Sequence, residues 1–162
     1  MSRENVELVK RVHPPSGSNL SRIFGPGAEG AGPVQAVSSL LAPDFEAVGG
    51  DLTGASGLSV SGNGIDGLIR AWRDWLVPWD NYWTHVEEIV DIDDDRVLVL
   101  VRDHGQVRGS DAHVENISAS IWTLRDGKIA RIEFHVDRRT ALEAVGLADR
   151  APPRPQGDEA AE

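Results

Sequence analysis

The chain has 162 residues and carries 26 acidic against 16 basic side chains, a net charge of −10 at pH 7. Such a negative surface repels phosphate backbones, which argues against nucleic acid as a partner. Cysteine is absent from the sequence, and this excludes disulfides, thiolate nucleophiles and thiolate-bound zinc.

The first residues of the chain are charged, and its apolar runs are short. The longest run covers residues 97–101, whereas a membrane-spanning helix needs roughly 20 apolar residues. The beginning of the chain also lacks the apolar core of a signal peptide. We therefore expect a cytoplasmic protein without a membrane partner.

Helical patterns occupy the first half of the sequence. Residues 4–12 place three valines on one side of a helix. Residues 34–41 lie between Pro33, which favours a helix start, and Pro43, which favours a helix end. The clearest helix is predicted over residues 65–79, whose apolar side chains fall within a stripe of roughly 120°, the width of a core-facing surface. The stripe consists of Ile65, Leu68, Ile69, Trp72, Trp75, Leu76 and Trp79.

After residue 79 the pattern changes to runs that are rich in Val, Ile and aromatic residues. Asp126-Gly127 between two such runs indicates a type I′ hairpin turn, because both central residues of that turn need positive φ. Consecutive strands joined by short turns form an antiparallel meander, and long strands twist and curl. The four predicted strands cover residues 82–92, 96–107, 113–124 and 128–136.

Shorter strands near residues 45–48 and 58–61 are expected to complete the sheet, and Asp137 is expected to cap a last helix over residues 138–145. This order predicts a single α+β domain, residues 1–150, with the N-terminal helices packed on an antiparallel sheet. The tail, residues 151–162, has three prolines and no large apolar residue, so we expect it to be disordered.

The run at residues 97–101 is apolar at both strand parities, which predicts burial on both faces of the sheet. One face can meet the helices. The other needs a further cover, most simply the same sheet of a second copy. We therefore expect a homodimer.

Five strings, taken in order, carry a family resemblance: SRENVELVKRV at 2–12, LAPDFE at 41–46, GLIRAWRDWLVPW at 67–79, VEEIVDIDDDRVLVLVRDHG at 86–105 and IWTLRDGKIARIEFHVDRRTALEAVGL at 121–147. They resemble the SnoaL-like group of the nuclear transport factor 2-like superfamily. The resemblance implies a strongly curved antiparallel sheet that forms a cone-shaped barrel around an internal pocket, often in a dimer. Members include polyketide cyclases, steroid isomerases, epoxide hydrolases, dehydratases and proteins with no known reaction, so the fold does not decide the function.

The sequence departs from two catalytic patterns of that superfamily. Gly49 stands where the steroid-isomerase type carries its general-base carboxylate. Phe134 stands where the epoxide-hydrolase type carries an aspartate on the last strand. Both departures argue against these two reactions.

His135 and Asp103 are the candidate catalytic residues. Histidine exchanges protons near pH 7, and a carboxyl buried at the end of the strand that holds residues 97–101 would have a raised pKa. The alternatives are structural: a polar His135 at the rim of the barrel or on a dimer face, and a solvated Asp103 beside Arg102 or Arg108.

The candidate ligand-binding residues are aromatic. A tryptophan stripe at helical spacing is typical of a core, but it also offers a flat wall to a hydrophobic ring. Phe134 competes with His135 for the inward position on the last strand. The candidates are Phe24, Phe45, Trp72, Trp75, Trp79, Trp122 and Phe134.

The sequence shows no spacing typical of a metal site, and we expect neither a metal nor another cofactor. The leading hypothesis is a protein that binds a small hydrophobic ligand. If it is an enzyme, it catalyses an isomerisation, cyclisation, hydration or dehydration by acid–base chemistry. The alternative is a non-catalytic ligand-binding or dimerisation module. A titratable pair within hydrogen-bond reach in the pocket would favour the enzyme.

Overall fold

The computed structural model describes residues 2–24, 37–49 and 61–150. Within these ranges one sheet of seven strands has the order β1-β4-β5-β6-β7-β2-β3 and curls into a half-barrel beside the helices. The helices are α1 (Ser2–Val12), α2 (Leu20–Phe24), α3 (Gly64–Leu76) and α4 (Arg138–Ala144). The strands are β1 (Ser18–Asn19), β2 (Leu41–Gly49), β3 (Ser61–Asn63), β4 (Trp79–Asp91), β5 (Arg96–Val107), β6 (His113–Arg125) and β7 (Lys128–His135).

Strands β4 to β7 form the predicted antiparallel meander. Asp126 and Gly127 both have positive φ, 54° and 75°, as the type I′ hairpin requires. Register shifts interrupt β4 twice and the β6–β7 pair once. Such bulges add local twist, which fits the curling of long strands.

The sheet is not antiparallel throughout, because β2 pairs with β7 in parallel. The first predicted short strand lies within β2, and β3, which overlaps the second prediction only at Ser61, is antiparallel to β2 at the edge of the sheet. A parallel pair needs a long crossover between its strands, and here everything from β3 to β6 lies between β2 and β7. Sequence patterns at neighbouring positions carry no trace of such a distant pairing.

Two helix predictions were wrong, one in its end and one in its described part as a whole. Helix α3 ends at Leu76, and Trp79 begins β4. Pro78 lies in the intervening turn, where a residue without an N–H suits the end of a helix. The helix predicted over residues 34–41 is also not formed in its described part, since Ser38–Leu40 make a single 3-10 turn and β2 starts at Leu41.

The last helix agrees with its prediction. The Asp137 side chain accepts a hydrogen bond from the N–H of Arg139 at the start of α4. After α4, Gly146 adopts φ 78°, and the N–H of Leu147 donates to the carbonyl of Leu142 at 2.7 Å. Such a bond satisfies a carbonyl at the helix C-terminus.

Helix α4 covers one face of the sheet. Leu98 and Leu100 of β5 are buried in a cluster with Ala141 and Leu142 of α4, whereas Val97, Val99 and Val101 belong to the main core on the other face. The chain itself therefore supplies the second cover that we had assigned to another copy. The homodimer stays a prediction without this support.

The predicted disordered tail, residues 151–162, lies outside the described residues, as does most of the strand predicted near residues 58–61. Across 2–24, 37–49 and 61–150, no helix combines the length and the apolar composition needed to cross a bilayer.

Candidate functional site

The inner face of the sheet changes from apolar to polar toward one end of β5. Asp103 follows Val99 and Val101 on the same face, and the register places it opposite Thr84 of β4 and Asn116 of β6. Here a cavity of about 70 Å³ lies between the sheet and a cover of helix and loop side chains. Its polar wall is formed by Tyr82, Thr84, Asp103, Asn116, Ser118 and Ser120, and its cover by His13, Pro14, Leu20, Trp72 and Trp75.

Asp103 has two differently placed carboxyl oxygens. Its Oδ2 accepts hydrogen bonds from the Tyr82 hydroxyl at 3.0 Å and the Ser118 hydroxyl at 3.3 Å. The Tyr82 oxygen in turn accepts from Nδ2 of Asn116 at 3.3 Å. Oδ1 is buried and has no hydrogen-bond partner among the described residues. Only one of the two carboxyl oxygens of Asp103 therefore accepts hydrogen bonds from the described residues.

Burial raises the pKa of the Asp103 carboxyl above its ordinary value, and the nearby Thr84 hydroxyl and the hydrogen bonds from Tyr82 and Ser118 partly oppose this shift. Burial, followed by the nearby Asp103 charge, also raises the pKa of Tyr82. The alternative of a solvated Asp103 beside Arg102 or Arg108 was wrong. Only 7% of Asp103 is exposed, and Arg102 pairs with Glu87 and Glu115.

His135 ends β7 and is buried. It pairs with Ala119, which packs toward α4, whereas Phe134 pairs with Ser120 on the inner face. Phe134 therefore holds the inward position, and His135 borders the cavity where the strand ends. Both ring nitrogens of His135 are buried without a hydrogen-bond partner in the described ranges.

The predicted aromatic residues lie at different distances from this cavity. Trp72, Trp75 and Phe134 line the cavity, and the rings of Trp72 and Phe134 meet edge to face at 5.1 Å. Trp79 lies behind the wall, with its ring 5.2 Å from that of Tyr82. Phe45 is fully buried in the core and borders neither this cavity nor the one described next.

A second cavity of about 230 Å³ adjoins the first and shares His13, Pro14, Trp72 and Phe134 with it. Its remaining described lining is mostly apolar and includes Phe24 and Trp122. The Phe24 ring stacks on Trp72 at 5.7 Å. The two cavities thus combine a polar end at Asp103 with an apolar end.

The sequence did not identify the residues that bond to Asp103. Tyr82 and Ser118 lie on different strands, so the strand register was needed to bring them to one carboxyl. A tyrosine among valines and tryptophans is typical of core. Its one available signal was parity, because Tyr82 and Thr84 alternate with the exposed or half-exposed Trp83 and His85.

Among the described residues, no three His, Asp or Glu side chains are grouped so that they could hold a metal ion. The arrangement offers a buried carboxyl, a phenol, three aliphatic hydroxyls and an amide. These groups bind an oxygen atom and exchange protons.

The fold and this wall define a class of protein: an α+β half-barrel with polar groups at one end of an apolar interior. The sequence model of the SnoaL-like domain family matches residues 25–132, more than half of the chain. The chain belongs to the SnoaL-like domain family, as the resemblance had indicated. A search of curated protein sequences found no match.

Solved structures share the fold at low sequence identity. One, assigned as a SnoaL-like polyketide cyclase from Jannaschia sp. CCS1, has a TM-score of 0.59 and 22% identity, covering 93% of this chain and 94% of its own. TerC, co-crystallized with polyporic acid, has a TM-score of 0.61 and 19% identity, covering 88% and 98%. A phenazine biosynthesis-related protein from Pseudomonas aeruginosa has a TM-score of 0.57 and 19% identity, covering 94% and 87%.

Proposed function

We propose that this protein binds a small hydrophobic molecule carrying an oxygen atom and that Asp103 exchanges a proton with that oxygen. The reaction needs no cofactor and is an isomerisation, cyclisation, hydration or dehydration. The observation that carries the proposal is Oδ1 of Asp103, a buried oxygen without a described partner beside a cavity. Such an atom costs free energy, and a ligand oxygen at that place would satisfy it.

The Tyr82–Asp103 pair favours an enzyme over a binding module. Two titratable groups lie within hydrogen-bond reach at 3.0 Å, and burial raises the pKa of the carboxyl. Groups with such shifts are typical of proton-transfer sites. His135 also borders the cavity, and we retain it as a second proton-exchanging group to be tested separately.

The dimensions of the interior favour an extended ligand. The polar cavity alone, about 70 Å³, is well below the roughly 300 Å³ at which small-molecule pockets begin. The adjoining cavity adds about 230 Å³ between aromatic walls. A flat hydrophobic carbonyl compound fits this division, with its oxygen at Asp103 and its rings toward Trp72. The polyketide-cyclase assignment of one relative in fold, and the polyporic acid crystallized with another, are consistent with an organic ligand.

The test uses 2-tetralone, a flat bicyclic ketone. Tryptophan fluorescence reports its binding, and NMR in D₂O reports exchange of its α-protons. We expect saturable quenching and exchange faster than in buffer. Asp103→Asn should slow this exchange roughly 100-fold or more, the usual contribution of a proton-transfer group. The exposed Asp111→Asn should leave it unchanged, and His135→Gln tests the second group.

Two results contradict parts of the proposal. Saturable quenching with exchange no faster than in buffer would support the alternative, a non-catalytic binding module. Quenching that never saturates would show that 2-tetralone does not bind at a defined site, which contradicts the proposed ligand site.

A further inference from the structure

His13, on the loop that follows α1, borders both cavities. The N–H of His13 donates to the carbonyl of Val9 at 2.8 Å, which fixes the residue to the end of α1. Its ring lies 5.8 Å from that of Trp122 on β6. Of the four described residues that border both cavities, His13 is the titratable one.

The orientation of the His13 ring is set by one backbone group. Nδ1 lies 2.8 Å from the carbonyl oxygen of Pro14. Because a carbonyl only accepts hydrogen bonds, Nδ1 must carry the hydrogen, and in the neutral ring Nε2 keeps its lone pair. Burial also lowers the pKa of His13, which favours this neutral form at pH 7.

His13 and His135 differ in how they are held. Both nitrogens of His135 are buried without a described partner, whereas neither nitrogen of His13 is among the buried, unbonded atoms. A fixed tautomer whose second nitrogen keeps its lone pair is the arrangement of a proton acceptor. The other titratable or charged groups around His13 are Tyr82, Asp103 and His135 in the polar cavity and Arg11 in the apolar one.

We propose that Nε2 of His13 is the base of this site and removes a proton from a ligand carbon while Asp103 binds the ligand's carbonyl oxygen. The inference rests on the proposed function and deepens it, because it restricts the substrate to a carbonyl compound with an acidic C–H. Asp103 and His13 approach the ligand from different elements, β5 and the loop after α1, so each group acts on its own atom.

The step transfers one proton to His13 and one proton from Asp103. The C–H bond breaks as Nε2 takes the proton, and the electron pair forms the C=C bond of an enol. The carbonyl oxygen takes the proton from the neutral carboxylic acid of Asp103. The enol, the His13 imidazolium and the Asp103 carboxylate result. Return of a proton to the same or a conjugated carbon, with return of the enol proton to Asp103, completes an exchange or an isomerisation.

The test compares wild type, His13→Asn and Asp103→Asn on 2-tetralone. His13→Asn keeps an N–H that can donate to Pro14 while removing the base, and His113→Asn, an exposed histidine outside both cavities, is the matched control. We expect His13→Asn to slow α-proton exchange roughly 100-fold or more and to leave fluorescence quenching in place. In the wild type the exchange rate should rise with pH as His13 loses its proton, through a pKa below the ordinary 6.5, and should fall again as Asp103 ionises. His13→Asn should lose this rise.

The outcomes separate the inference from the proposed function. If His13→Asn exchanges the α-protons at the wild-type rate while Asp103→Asn has lost exchange, the inference alone is overturned. If Asp103→Asn exchanges them at the wild-type rate, the proposed function is overturned. Exchange by the wild-type protein that is no faster than in buffer overturns both. A second readout does not depend on any variant folding. ¹⁵N NMR of the wild-type protein should show His13 protonated on Nδ1 and unprotonated on Nε2 at pH 7, and the opposite tautomer contradicts the inference.

Discussion

The Tyr82 hydroxyl donates a hydrogen bond of 3.0 Å to Oδ2 of Asp103, while Oδ1 of the same carboxyl has no partner among the described residues. The hydrogen bonds from Tyr82 of β4 and Ser118 of β6 thus reach the same oxygen. Tyr82 and Ser118 together hold the carboxyl in this orientation.

Replacing Tyr82 with Phe should raise the pKa of Asp103 further. The phenol hydrogen bond stabilises the carboxylate and lowers that pKa, whereas the ring contacts with Trp75 and Trp79 are retained by Phe. We also expect a loss of about 0.5–1.5 kcal/mol in the free energy of unfolding. An NMR titration of ¹³C-labelled aspartate carboxyls measures the shift, and an unchanged or lower Asp103 pKa would speak against the hydrogen bond.

Asp103→Asn should change how stability depends on pH. The folded pKa of Asp103 is raised above the ordinary value of about 3.9, so the folded state binds the proton more tightly than the unfolded state. This contribution to stability is complete below the unfolded pKa and is lost as pH rises through the folded pKa. The variant cannot ionise and keeps its stability over that window.

Urea unfolding of both proteins at pH 4 and pH 8 measures this effect. The free energy of unfolding of Asp103→Asn, relative to wild type, should be higher at pH 8 than at pH 4. The exposed Asp111→Asn should show the same difference at both values. If the difference in the free energy of unfolding between Asp103→Asn and wild type is the same at both pH values, this carboxyl is solvated.

Arg138 should anchor α4 to the sheet. Its side chain is 13% exposed, pairs with Glu87 and donates to the carbonyl of Val101 at 2.8 Å. Arg138→Ala should lower the free energy of unfolding by about 1–3 kcal/mol, the range for losing hydrogen bonds of a charged group. Arg70→Ala, on the exposed side of α3, should have little effect. Equal losses in the two variants would contradict the anchoring role.

A methyl group at Gly105 should push Trp79 away from the sheet. A Cβ there would lie 2.5 Å from Cε3 and Cζ3 of the Trp79 ring. Gly105→Ala should therefore cost about 1–3 kcal/mol of stability by overpacking. Adding Trp79→Leu makes room, so the double variant should lose less than the sum of the two single variants. Additive losses in thermal unfolding would show that this contact is not close.

Much of the fold could be predicted because its signals are local. The Asp126-Gly127 turn and the Asp137 cap each depend on a few neighbouring residues, and both are found as expected. The β2–β7 pairing and the cover of Leu98 by α4 depend on segments far apart in the chain. For that reason the apolar run at residues 97–101 pointed to a second copy rather than to α4.

The candidate site was only partly accessible from the sequence. Asp103 could be selected because it ends an apolar run on a long strand. Its pairing with Tyr82 depends on the register between β4 and β5, and no spacing along the chain reveals it. His13 gave no signal at all, because a histidine after a short helix is ordinary until the cavities and the Pro14 hydrogen bond are seen.

A ligand oxygen beside Oδ1 of Asp103 should be visible in a crystal structure of the protein with 2-naphthol, a flat analogue of the enol of 2-tetralone. The naphthol oxygen should lie within about 2.5–3.0 Å of Oδ1, with its rings against Trp72 and Phe134. A naphthol bound elsewhere, or an Oδ1 satisfied by another protein group, would contradict this prediction.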